Sequence, residues 1–132
     1  MSVIKRFEDL EIWQIARHIA QKVYPLTLQE PICREYRLAD QMKGSCGSAM
    51  DNSVEGFDRG SRLEFINSLG IARGESGELK SQLYRCLDNQ FISQQLFDEL
   101  YTELVQLIRK ISSFISYLNK SSIKGQKFKD RK

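Results

Sequence analysis

Residues 61–86, SRLEFINSLGIARGESGELKSQLYRC, decide the fold. Within them Phe65, Leu69, Ala72, Ser76, Leu79, Leu83 and Cys86 recur at alternating steps of four and three. A repeat of that average spacing keeps facing a neighbour only if the two helices wrap around each other, which is the seam of a left-handed bundle. The segment opens with Ser61 and Glu64 in capping-box spacing, so Ser61 is expected to hold the Glu64 amide while the glutamate bonds back. Asp88-Asn89 offer its stop.

The rhythm continues downstream. Ser93 is a good N-cap, and Phe97, Leu100, Leu104, Leu107, Ile111, Phe114 and Leu118 follow at steps of three and four. Tyr101, Ile108 and Ile115 add a second apolar stripe. A helix apolar over so wide an arc is either the most buried of the set or carries a surface for another subunit.

Upstream, residues 7–26 place Leu10, Trp13, Ala16 or Ile15, Ile19 or Ala20, and Val23 on one helical face. Pro25 marks the last turn or a kink, and residues 27–34, with Pro31, read as the connection. Residues 35–55 give a second helix with Leu38, Met42, Cys46, Ala49 or Met50, and Val54 on its face. Its middle, Gly44-Ser45-Cys46-Gly47-Ser48, is a poor helix former that depends on its neighbours. Gly56 is placed to end it in a left-handed conformation. Four helices with connections of about four to eight residues make an all-α fold, an up-down-up-down antiparallel four-helix bundle. The expected bundle domain is 7–118, and 119–132 form a flexible basic tail.

Bulk composition agrees. The 132 residues suit one domain, and 28% charged with 41% hydrophobic residues excludes wholesale disorder. No run approaches the ~20 apolar residues of a membrane span, so no membrane contact is expected and the expected location is the cytoplasm. Three cysteines without a CxxC pair argue against a disulfide framework, and Cys46 and Cys86 fall on apolar faces, where core packing is expected. The net charge of +3 hides an asymmetry: residues 119–132 carry +5 and the remainder −2.

The residues offer little to a catalyst. His18 has no carboxylate one turn before it, and zinc, phosphate-loop and nucleophile-elbow spacings are absent. It reads as solvated surface. Glu75 and Glu78, and Asp51 and Glu55, each share a helix face, a geometry open to a hard cation. With Asp98, Glu99 and Glu103 the first pair would outline a small metal-dependent nucleotide hydrolase. The plainer expectation is that these acids pair with Arg73, Lys80 or Arg59. Gly70, Gly74 and Gly77 lie inside a helix, which points to close helix packing rather than a phosphate loop. The residues thus suggest no catalytic residue, no metal and no cofactor. Arg109, Lys110, Lys120, Lys124, Lys127, Lys129, Arg131 and Lys132 are the candidate contacts for RNA or DNA, with Phe128 able to stack on a base. Asn52, Glu55 and Gly56 are expected to form a structural polar lock around a helix end.

Several motifs together resemble one family. Phe7-Glu8-Asp9-Leu10-Glu11-Ile12-Trp13-Gln14-Ile15-Ala16 looks like the F-x-D-L-x-V-W-Q-x-A opening of the bacterial four-helix-bundle proteins encoded by intervening sequences in 23S ribosomal RNA genes. Val23-Tyr24-Pro25-Leu26-Thr27 and Tyr36-Arg37-Leu38-Ala39-Asp40-Gln41-Met42 are similar to their next two segments. Ser48, Asn52, Glu55 and Gly56 match S-x-x-x-N-x-x-E-G, and Ile71-Ala72-Arg73-Gly74-Glu75-Ser76-Gly77-Glu78-Leu79-Lys80-Ser81-Gln82-Leu83, with Gly74 and Glu78 in place, resembles I-A-x-G-S-x-x-E-L-x-x-Q-L. The resemblance implies a bundle that assembles into a ring-shaped homopentamer. It extends to the accessory variability determinant of diversity-generating retroelements, a pentamer that partners a reverse transcriptase and binds nucleic acid. It implies no catalytic residue. The expected partners are therefore the chain itself, RNA or DNA, and a reverse transcriptase; a pure protein-interaction scaffold is the other non-enzymatic reading.

Overall fold

The computed structural model describes residues 4–121. A 3-10 turn, Phe7–Asp9, precedes α1 (Glu11–Thr27), and a second, Ile32–Arg34, precedes α2 (Tyr36–Arg59). α3 (Arg62–Asp88) and α4 (Gln94–Ser121) complete a bundle with no strand among the described residues. Each helix packs mainly on its chain neighbours, and α4 returns to α1, which closes the square.

The spacing expected to form the seam does form it. Phe65, Leu69, Ala72, Leu79, Leu83 and Cys86 of α3 are buried, as are Leu100, Leu104, Leu107, Ile111 and Leu118 of α4. Ile12, Ala16, Ile19 and Val23 supply the face of α1, and Leu38, Met42, Cys46 and Ala49 that of α2. Pro25 lies in the last turn of α1, where it has no N–H to give to the carbonyl four residues earlier, and the helix ends two residues later at Thr27. Ser61 accepts from the Glu64 amide at 3.5 Å and Ser93 from the Leu96 amide at 3.1 Å, so both N-caps form. The capping box is only half made, because the Glu64 carboxylate turns instead to Arg59 at 3.1 Å.

Four boundaries depart from expectation, one of them the end of the bundle: α4 runs on through Ser121, past the expected limit at Leu118, so residues 119–121 are helix rather than tail. The first helix does not begin at Phe7. Leu10 stays extended (φ −72°, ψ 122°) as its side chain enters the core, so the chain breaks between the 3-10 turn and α1. Phe7 then packs edge-on against Trp13 at 5.1 Å. Gly56 does not end α2, which runs on to Arg59; the left-handed residue is Gly60 (φ 73°). The α2–α3 connection is consequently Gly60-Ser61 alone, shorter than the expected four to eight residues.

Gly56 has a different task. A Cβ there would lie 2.7 Å from Phe65 Cδ1, 3.0 Å from Ser68 Cβ and 3.1 Å from Phe65 Cα. There α3 lies so close against α2 that only a hydrogen fits. The close packing expected at Gly70, Gly74 and Gly77 is not found: a Cβ at any of them, or at Gly44 or Gly47, meets nothing within 4 Å. These glycines weaken their helices, at about 1 kcal/mol each relative to Ala, without bringing a neighbour nearer.

Candidate functional site

Two seams on opposite sides of the bundle carry polar side-chain contacts between helices. Between α1 and α4, Lys22 Nζ bonds to both Glu99 and Glu103, and His18 Nε2 stands 3.7 Å from Glu103 Oε1, at ion-pair rather than hydrogen-bond distance. Hydrogen bonds to Glu103 first and Glu99 second hold the Lys22 ammonium above the usual lysine range, against some desolvation. Nearer the start of α1, Lys110 Nζ lies 3.2 Å from Glu11. His18 remains largely exposed, as expected.

The α2–α3 seam is built differently. The residues expected to form a lock at a helix end sit inside α2, because α2 continues past them. Asn52 Nδ2 donates to the Ser48 carbonyl and hydroxyl at 3.0 and 2.9 Å, within one turn of its own helix. Glu55 pairs with Arg59 at 2.9 Å, and Arg59 also reaches Glu64. Beyond this polar stretch the seam opens into a cleft of ≈ 490 Å³ lined by Gln41, Gly44, Glu75, Glu78, Gln82 and Arg85, among others. Gln82 is 6% exposed; its Nε2 donates to Ser45 Oγ at 3.1 Å, and its Oε1 has no partner. Arg85 Nη1 donates to Gln41 Oε1 at 2.9 Å.

Glu75 and Glu78 do not take the partners expected of them. Arg73 turns to α4 and donates to Ser112 Oγ at 3.0 Å, Lys80 sits 4.8 Å from the Tyr101 ring centroid, and Arg59 serves Glu55 and Glu64. Nor do these two acids meet the second acidic group. Glu99 and Glu103 belong to the α1–α4 seam, and Asp98 is bonded by Gln94 Nε2 at 2.8 Å. No group of three or more His, Cys, Asp or Glu among the described residues is arranged to hold a metal ion.

The candidate basic contacts are dispersed. Arg109 and Lys110 share a shallow groove on α4 with Thr102 and Gln106, Lys110 being tied to Glu11, and Lys120 is exposed in the last turn. Lys124, Lys127, Lys129, Arg131 and Lys132, with Phe128, lie outside the described residues. Gly74 is exposed on α3, away from both seams' close contacts. Cys46 and Cys86 are buried as expected; burial raises both thiols, Cys86 to about 11, and Cys86 Sγ lies 3.7 Å from Met42 Sδ. Lys22 and Gln82 were not singled out from the sequence. Gln82 was within reach, since it follows Glu75 and Glu78 at steps of three and four on one face of α3.

The chain matches the family described as 23S rRNA-intervening sequence protein over residues 8–113. The fold is similar to the crystal structure of a protein of unknown function from the S23 ribosomal protein family of Bacteroides thetaiotaomicron. The TM-score is 0.72 at 21% identity, covering 80% of this chain and 95% of that one. No curated protein matches. No helix among the described residues is long and apolar enough to cross a membrane.

Proposed function

The chain belongs to the 23S rRNA-intervening sequence protein family, and from that membership we propose that it is a non-catalytic bundle that assembles with copies of itself into a homopentameric ring. The ring serves as an accessory or scaffold, contacting nucleic acid or an enzyme that handles it, such as a reverse transcriptase. The observation that carries this reading is α4. Tyr101, Ile108 and Ile115 repeat every seven residues and stay half-buried after the four helices have closed. A heptad stripe left partly open is the surface a further helix covers by knobs-into-holes packing. Arg109 and Lys110 flank it, and the +5 charge of residues 119–132 supplies the sequence-independent attraction to phosphates.

Light scattering during size-exclusion chromatography, with the 260/280 nm absorbance ratio followed across the peak, tests the reading. The expected mass is near 76.5 kDa, five times the 15.3 kDa chain. Co-eluting nucleic acid that is released by raised salt or by deletion of 120–132 supports the nucleic-acid role. A clean pentamer points to a protein partner, and a 15.3 kDa monomer overturns the assembly.

A further inference from the structure

The outer face where α3 meets α4 is an apolar groove that the bundle leaves open. Arg73 donates to Ser112 at 3.0 Å and the Tyr84 ring meets the Tyr101 ring at 5.7 Å, which fixes the antiparallel register of the two helices. In that register Gly77 and Gly70 stand level with Ile108 and Ile115. A Cβ at either glycine would meet nothing within 4 Å, and both isoleucines stay half-buried. Leu63 and Tyr84, each seven residues beyond a glycine and 54% and 46% exposed, close the two ends. The face thus repeats every seven residues, the period on which a further helix packs. Its rim is cationic: Arg73 and Lys80, also seven apart, meet only the Ser112 hydroxyl and the Tyr101 ring, which are neutral.

The same chain carries the complement. On α2, Gly47, Met50, Val54 and Phe57 recur at steps of three and four and are half-buried. Lys43, one turn before Gly47, lies 5.6 Å from the Tyr24 ring centroid, so this stripe runs along the α1 side of α2, away from α3. Asp51 and Asp58 are exposed beside it, with no hydrogen bond or ion pair to any of the described residues. Two residues seven apart on a helix span ~10 Å, so the acid pair and the Arg73–Lys80 pair are equal in length and opposite in sign.

We propose that the α3–α4 groove of one copy receives α2 of the next, with Met50 and Val54 entering beside Ile108 and Asp51 and Asp58 set against Arg73 and Lys80. This rests on the self-assembly proposed above and names the two faces that make it. Groove and ridge are different surfaces, so the contact is head-to-tail: every copy offers one of each, and the series closes into a ring when its rotation does. The apolar stripes supply the buried area, while the charge rows fix the register and repel a groove that meets a groove.

Charge-swapped full-length chains test the pairing by light scattering during size-exclusion chromatography. Asp51→Arg/Asp58→Arg makes both faces cationic, and Arg73→Glu/Lys80→Glu makes both acidic. Either pair should weaken assembly at least about tenfold and move the peak toward the 15.3 kDa monomer, with helicity kept. The fourfold variant restores opposite signs and should recover the wild-type mass. A second measurement does not depend on charge. In a Cys33→Ser background, a short bismaleimide should link copies of Val54→Cys to copies of Gly77→Cys in a mixture, and neither variant to itself. Wild-type assembly that survives both reversals, a fourfold variant that stays monomeric, or an assembling mixture that is not linked overturns these faces and leaves the ring standing. A monomeric wild-type chain overturns ring and faces together.

Discussion

The α1–α4 and α2–α3 seams lie on opposite sides of one bundle and are closed by different forces. At α1–α4 a lysine bridges two carboxylates on the facing helix, with side-chain exposures of 28% for Lys22 and 19% for Glu103. At α2–α3 the helices meet through shape: Gly56 lets the backbone of Phe65 approach to 3.1 Å of where a Cβ would stand. A seam closed by charge responds to pH and salt, because both change the interaction without moving an atom. A seam closed by van der Waals contact responds to volume instead. The same contrast separates their free capacity. At α1–α4 Lys22 and Lys110 each meet an acid of the facing helix, whereas the cation that lines the α2–α3 cleft with Glu75 and Glu78, Arg85, is bonded to Gln41.

The largest effect is expected where shape decides. Gly56→Leu must displace backbone as well as the Phe65 ring, and should cost about 2–3 kcal/mol in urea unfolding. It should also speed alkylation of Cys86, whose buried thiol faces Met42 across this seam, relative to the more accessible Cys33. Unchanged stability would mean that the close approach is not a constraint. Next comes Lys22→Met, which leaves Glu99 and Glu103 unbridged and should cost about 1 kcal/mol near neutral pH. The pH dependence has a definite sign. The folded-state pKa of Lys22 is raised, so its contribution is fully present below the unfolded value of about 10.5 and fades as pH rises through the higher folded value. Wild-type stability should therefore fall more steeply than that of Lys22→Met above about pH 10.5, and parallel curves would dismiss the bridge. The smallest effect has the opposite sign. Gly74→Ala adds a methyl to open space and should stabilise by about 0.5–1 kcal/mol through helix propensity alone. A loss there would reveal a contact that a second subunit makes with this face.

The bundle was legible because its seam residues obey a strict spacing, and spacing is a one-dimensional property. The Ser61 and Ser93 caps were legible for the same reason. Gly56 misled because a glycine after a polar turn reads as a helix stop. The nearer signal was Gly60 directly before the Ser61 cap, a two-residue connection that leaves α2 no room to end earlier. The partners of Glu75 and Glu78 were misjudged on local grounds that spacing could have corrected. Arg73 and Lys80 each lie two residues from one of these acids, and residues two apart do not share a helix face. What spacing could not give was the Gln82–Ser45 bond or the Lys22 bridge. Both depend on how far each helix is rotated toward a neighbour distant in sequence.

The Lys22 bridge also has a place in time. It joins positions 77 and 81 residues apart, from the first helix to the last, while Gly56 and Phe65 meet across a two-residue turn. Closing a long loop loses more chain entropy than closing a short one, so the α2–α3 hairpin condenses early and the bridge between first and last helices locks afterwards. A tie made after the barrier does not hasten folding; it slows escape from the folded state. Removing Lys22 should therefore raise the unfolding rate and leave the refolding arm of the chevron where it was, making this part-buried ion pair a latch on the lifetime of the bundle.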